Sequence, residues 1–137
     1  MEKQVSMEKE FVTYPLALRL KALGFKERVL TYFEDDKIKL HDHISGWDFN
    51  SSFLNCVSRP TYSQIFRWFR EQKGLCVTFE YDENEGEVYW YIGKCFEYGV
   101  GPLFFHDLGE FTKLEEAELA CLEKLIEIVE GYGQRIG

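Results

Sequence analysis

Nowhere in this chain of 137 residues do apolar side chains run on for the ~18 positions that a membrane-crossing helix requires. The first ten residues, MEKQVSMEKE, mix charges of both signs. They hold nothing like the roughly 7 to 15 apolar residues of a secretory signal. The expectation is a protein with no membrane partner, working in the cytoplasm. Cysteine is sparse and scattered. Cys56, Cys76, Cys95 and Cys121 form no close pair of the kind that marks a zinc or redox motif, and are expected to be buried or half-buried thiols. Histidine is scarcer still, which narrows the metal chemistry open to the chain. None of the six serines lies in a Gly-x-Ser-x-Gly setting, so a serine nucleophile has no recognisable support. Gly99-Val100-Gly101-Pro102 is rich in glycine but lacks the lysine and helix start of a phosphate loop, and reads as a turn.

Bulk for a core is plentiful. Hydrophobic residues make up 45% of the chain and aromatics 17%, the latter as twelve Phe, eight Tyr and three Trp. One packed domain of this length needs neither disulfide nor metal. Residues 1–10 read as a frayed polar terminus and 11–137 as a single α+β domain, with no repeat or linker dividing it. The formal net charge of −8 repels a nucleic-acid backbone and disfavours nucleic acid as a partner.

Periodicity supplies the elements. Leu16, Leu20 and Leu23 repeat at helical spacing between Pro15 and Gly24, predicting a helix over about 14–23. The β-branched and aromatic stretch 28–34, the Asp35-Asp36 turn and the alternation of 37–41 predict a hairpin with an exposed second strand. Residues 42–58 lose all periodicity and read as a long ordered loop, a place to look for function. Tyr62, Ile65, Phe66 and Phe69 mark a helix over about 60–73, with Ser58 as its cap and Gly74 as its stop. Alternation resumes at 75–81 and 88–92, predicting a second hairpin. Residues 95–111, with Leu103 to Phe105 as a short apolar patch, read as a further edge strand or a packed loop, with the balance towards loop. Thr112 and Glu115 open a last helix running to about Glu130, with a strongly acidic outer face. The order α-β-β-α-β-β-α suggests one antiparallel sheet of about four strands, packed on one face by three helices.

The stretches YPLALRLKALGF at 14–25 and PTYSQIFRWFREQKGL at 60–75, followed by the aromatic hairpin, resemble small uncharacterised proteins encoded by phages and mobile elements of Bacteroides-like gut bacteria. The resemblance implies a phage-derived accessory protein and brings no site residues with it.

Candidate sites follow from the residue types. His41 and His43 flank Asp42 and share a face if the strand continues, with His106, Asp107 or Asp48 as a third donor; zinc needs three or four convergent ligands, so exposed histidines are the plainer account. Arg59, Arg67, Arg70 and Lys73 with Trp68 form the basic, aromatic mixture that nucleic-acid binders use, although the cations fall on different sides of the helix. Tyr89 and Tyr91 alternate away from Val88, Trp90 and Ile92, so they anchor a partner or lie under the 42–58 loop through Trp47 or Phe53. The sequence therefore suggests a non-enzymatic protein-binding module, with Tyr89, Tyr91 and Trp47 as contact residues, no cofactor, and another protein or itself as partner. Its rivals are an acidic mimic of DNA that inhibits a DNA-binding protein, and a small metal-dependent enzyme.

Overall fold

Asp35 and Asp36 both adopt left-handed backbone, at φ 49° and 69°. A type I′ turn requires that pair of angles, and its twist matches that of the strands it joins. The turn links β1 (Thr31–Glu34) to β2 (Lys37–Leu40), with Glu34 opposite Lys37 and Thr31 opposite Leu40. The structure, a computed structural model, describes residues 9–96, 99–106 and 111–136, with side chains described for 9–95 and 111–131. The backbone divides into two compact units, Met1–Gln64 and Ile65–Gly137.

In the first unit, β1 is the middle strand of a three-stranded antiparallel sheet ordered β2-β1-β3, with β3 at Cys56–Ser58. Adjacent residues of a strand point to opposite faces. Phe33 accordingly meets Tyr14 of helix α1 (Tyr14–Ala22) edge-on, with ring centroids 5.0 Å apart. Tyr32 stacks on Phe49 of the short helix α2 (Phe49–Ser52) at 3.8 Å. Both faces of β1 are covered, which is why the strand does not alternate polar with apolar. Lys21 donates from the last turn of α1 to the Cys56 carbonyl at 2.8 Å.

The expected loop 42–58 is therefore corrected: it contributes α2 and the third strand. Its polar residues are internal fasteners. Asn50 accepts from the Ser58 N–H at 2.8 Å and donates to the Phe25 carbonyl at 2.9 Å. The Ser58 hydroxyl accepts from the Phe49 and Asn50 N–H groups. Ser58 is thus committed to β3, and the cap of helix α3 (Tyr62–Lys73) is Thr61, whose hydroxyl accepts from the Gln64 N–H at 3.1 Å.

The second unit holds a separate antiparallel sheet, β4 (Leu75–Asp82), β5 (Glu87–Phe96) and β6 (Gly99–His106), in that order. The Asp82 carboxylate accepts from the Asn84 and Glu85 N–H groups, and Gly86 closes the turn at φ 69°. Val88, Trp90 and Ile92 are buried. Helix α4 (Leu114–Ile136) packs on β5 and buries Ala117, Cys121, Leu122, Leu125 and Ile126. It runs past the expected end near Glu130, and Leu114 at its start is half exposed.

The class is α+β and both sheets are antiparallel. The expected single sheet of about four strands gives way to two sheets of three, and the order becomes α-β-β-α-β-α-β-β-β-α across the described residues. Two short signals account for the difference. The strand Cys56–Ser58 is buried on both faces and too brief to alternate. The strand Gly99–His106 carries Pro102 and pairs with β5 through register shifts near Gly93, and bulged edge strands are where proline and glycine are tolerated. The cysteines need correcting as well: Cys76 and Cys95 form a disulfide, with Cα atoms 5.6 Å apart, while Cys56 and Cys121 are buried thiols. The proposed frayed terminus falls mostly on residues 1–8, outside the described residues. No described helix is long and apolar enough to cross a membrane.

Gly46 sits at φ 71°, and a Cβ there would lie 2.7 Å from the Val29 carbonyl oxygen. Gly24, at φ 97°, has nothing within 4 Å of the same position. Left-handed backbone costs an ordinary residue roughly 1–2 kcal/mol. Gly24→Ala should lose that much, and Gly46→Ala clearly more, in denaturant midpoints. Equal losses would mean that the Val29 backbone yields freely to the added carbon.

Candidate functional site

Four short segments of the first unit converge on one cleft. Val12 donates from its N–H to the Pro60 carbonyl and Tyr62 to the Glu10 carbonyl, which brings Phe11 beside Thr61. Val29 and Trp47 exchange backbone hydrogen bonds at 3.0 Å in both directions, holding residues 44–46 against residues 28–31. Gln64 donates to the Arg28 carbonyl at 2.9 Å and to the Glu27 carboxylate at 3.3 Å. Thr31 and Arg59 are tied twice, by the Arg59 N–H to the Thr31 carbonyl and by the Thr31 hydroxyl to the Arg59 carbonyl.

Between these segments lies an open cleft of about 820 Å³. That is the size of a site for a drug-sized molecule or a few residues of peptide. Its rim is apolar and unusually bare: Leu30 is 48% exposed, Leu40 74% and Ile44 94%. Exposed aliphatic side chains gathered at a concave surface mark interaction sites far more often than the same residues scattered singly. Arg59 also lines the cleft, 7% exposed, with its guanidinium carbon 4.3 Å from the centre of the Phe11 ring and 5.8 Å from that of Phe33. A guanidinium held over aromatic faces keeps its charge while being largely withdrawn from water. Arg28 is exposed at the same cleft, and none of the described lining residues is acidic.

Strand β2 runs into the cleft at Leu40. All four of its residues are exposed, and among the described residues no strand pairs with its outer side. His41 donates its N–H to the Leu30 carbonyl at 2.7 Å, which fixes which residues of β2 bond inwards. Alternation then turns the N–H and C=O groups of Ile38 and Leu40 outwards.

The residues singled out from the sequence fall elsewhere or have other duties. Trp47 belongs to the first unit, where its indole N–H donates to the Ser52 hydroxyl at 2.8 Å and its ring is partly exposed. The His43 Nδ1 accepts from Ser45, whose hydroxyl lies 2.7 Å away, and His41 sets its ring edge-on to Phe49. No three His, Cys, Asp or Glu side chains converge as a metal site among the described residues. The His106 side chain and Asp107 lie outside them. The basic, aromatic helix loses its stacking surface, because Trp68 is buried against Phe69 and Arg59 is buried in the cleft. Cys56 offers no nucleophile: burial, then the neighbouring Glu34 carboxylate, push its thiol above the ordinary value and keep it protonated.

Tyr89 and Tyr91 lie in the second unit on the face of β5 away from Trp90, opposite Glu80 and Thr78. Their hydroxyls donate to Glu87 and Glu80 at 3.4 and 3.3 Å. Partial burial, followed by nearby carboxylates, raises both phenols above their usual range. Charge here is one-sided. Residues 1–64 hold nine Lys and Arg against nine Asp and Glu, and residues 65–137 hold seven against fifteen, so the entire −8 belongs to the second unit. No family model, curated protein or solved structure matches the chain.

Partial desolvation and the charge of Glu85 raise Glu87 above the ordinary 4.5, against the opposing hydrogen bond from Tyr89. The folded protein thus binds this proton more tightly than the unfolded chain does. The associated stability is present at low pH and is lost as pH rises through the raised value. Glu87→Gln should therefore raise the melting temperature at pH 7, with the gain vanishing below pH 4.5. A gain that persists unchanged in acid would show that repulsion at Glu87 is not its source.

Proposed function

We propose that this chain is a non-enzymatic accessory module that binds another protein, and that it does so by taking an extended segment of that protein into the cleft of the first unit. The observation that carries the reading is the exposure of Leu30, Leu40 and Ile44 around a cleft that ends on an unpaired strand edge. Burying those three side chains under a partner would supply the apolar centre that protein interfaces need. Catalysis has less to rest on: the Ser45 hydroxyl at the cleft lies 2.7 Å from the His43 Nδ1, but both side chains are exposed and no described carboxylate is hydrogen-bonded to that imidazole to orient it as a base. A cytoplasmic setting and an origin in a phage or mobile element belong to the same proposal; both come from the sequence and are independent of the cleft.

A second reading attaches to the second unit. Its net charge of −8 suits a mimic of DNA that occupies a basic groove. The sheet face of Tyr89 and Tyr91 would then contribute contacts beside the acidic hairpin.

One selection experiment separates the two. A displayed library of random peptides is enriched on the full chain and re-screened against the Ile44→Asp variant, whose substitution is at an almost fully exposed position and should leave the fold intact. Enriched peptides should lose binding to Ile44→Asp at least tenfold, the equivalent of one buried aliphatic contact at about 1.5–3 kcal/mol. Peptides that bind both forms equally, are basic, and dissociate at high salt would overturn the cleft and favour the acidic surface.

A further inference from the structure

The alternation of β2 says more about the occupant than the cleft alone. The sequence of the strand is Lys37-Ile38-Lys39-Leu40. Residues directly opposite in an antiparallel pair share a face, so Ile38 and Leu40 lie on the side of Phe33 and Thr31, whereas Lys37 and Lys39 lie on the side of Glu34 and Tyr32. The outer edge of β2 thus offers the unpaired N–H and C=O groups of Ile38 and Leu40, flanked by two cations on one face and two aliphatic side chains on the other. Leu40 continues the aliphatic row into the cleft, where Arg28 is exposed and no described lining residue is acidic.

We infer that the occupant is an extended segment of another protein in which acidic and apolar residues alternate, and that it adds to the sheet as a strand beside β2. This rests on the cleft-binding reading above and gives it a partner chemistry. Main-chain hydrogen bonds to Ile38 and Leu40 hold the segment. Its acidic side chains meet Lys37 and Lys39, and its apolar ones join Ile38 and Leu40. The same lysines argue against a second copy of this chain as the occupant, because edge-to-edge pairing of two β2 strands sets lysine against lysine. Charged residues, lysine above all, are how natural edge strands resist pairing with themselves.

The test uses the full chain and four synthetic peptides: one alternating Glu with Val, one alternating Lys with Val, and two forms of the Glu/Val peptide, N-methylated at the Val amides or at the Glu amides so that one strand edge or the other cannot donate. Fluorescence anisotropy at low salt should show the Glu/Val peptide bound roughly fivefold more tightly than the Lys/Val peptide, as expected for two cross-strand charge pairs. The Lys37→Glu/Lys39→Glu variant should reverse that order while staying folded by circular dichroism, with a modestly lower melting temperature because the substitution at 37 sets a carboxylate opposite Glu34. N-methylation on the edge that faces β2 should abolish binding, and on the other edge should leave it intact. Equal affinity for the two peptides, or the same preference in the double variant, overturns the assigned partner chemistry. Binding untouched by methylation at either edge overturns the strand addition. If neither peptide binds and no library peptide responds to Ile44→Asp, it is the cleft reading itself that fails. A concentration-dependent dimer that Leu40→Asp dissociates overturns the inference in favour of a second copy.

Discussion

The first unit depends on β1 being gripped from both sides. Phe33 is fixed by Tyr14 on one face and Tyr32 by Phe49 on the other. Aromatic pairs contribute beyond the area they bury because their preferred geometries are specific, so these two contacts set the strand's position as well as its stability. Most of what shapes the cleft is attached to this strand or to its ends, while Phe11 is placed through Pro60 and Tyr62. Thr31 holds Arg59 through two hydrogen bonds, and Val29, just before the strand, holds the segment that carries Ile44. The hairpin turn after the strand presents β2. Loosening β1 would therefore disperse the cleft walls together.

How much of this was legible in the residues depended on the length of each signal. The helices at 14–23 and 60–73 and the hairpin at 75–93 announce themselves through sustained periodicity, and the structure has them within a residue or two, apart from β5 running on to Phe96. The Asp35-Asp36 turn and the exposure of β2 were also readable, because aspartate tolerates left-handed backbone and KIKL alternates. What escaped was short or internally satisfied. Asn50 and Ser58 look like loop residues until their hydrogen bonds to the backbone are seen. Cys56–Ser58 spans three residues and leaves no room for a pattern.

The cleft was less visible than the fold for a related reason. Phe11, Arg28, Leu40, Ile44 and Arg59 are dispersed over half the chain, and no spacing rule connects them. By its spacing Arg59 reads as a cation beside a helix, whereas in the structure it is 7% exposed with the Phe11 ring against its guanidinium. Leu40 and Ile44 carried the one available clue, being aliphatic residues in a stretch otherwise rich in charge and turn formers. The tyrosine pair, by contrast, stands out because alternation in a long strand is a strong signal. Its hydroxyls are already engaged with Glu87 and Glu80.

The disulfide between Cys76 and Cys95 closes a stretch that contains Glu80, Asp82, Glu83, Glu85 and Glu87 against a single Lys94. A chain so heavily of one sign gains from expanding, since unfolding moves like charges apart. A covalent tether of this span removes much of that freedom from the unfolded chain, worth about 3 kcal/mol in the chain-entropy description. The hairpin thus has one stability where thiols are oxidised and a lower one where they are reduced, and the difference falls on the most negatively charged hairpin of the protein. The first unit has no such bond, and Cys56 is its sole cysteine.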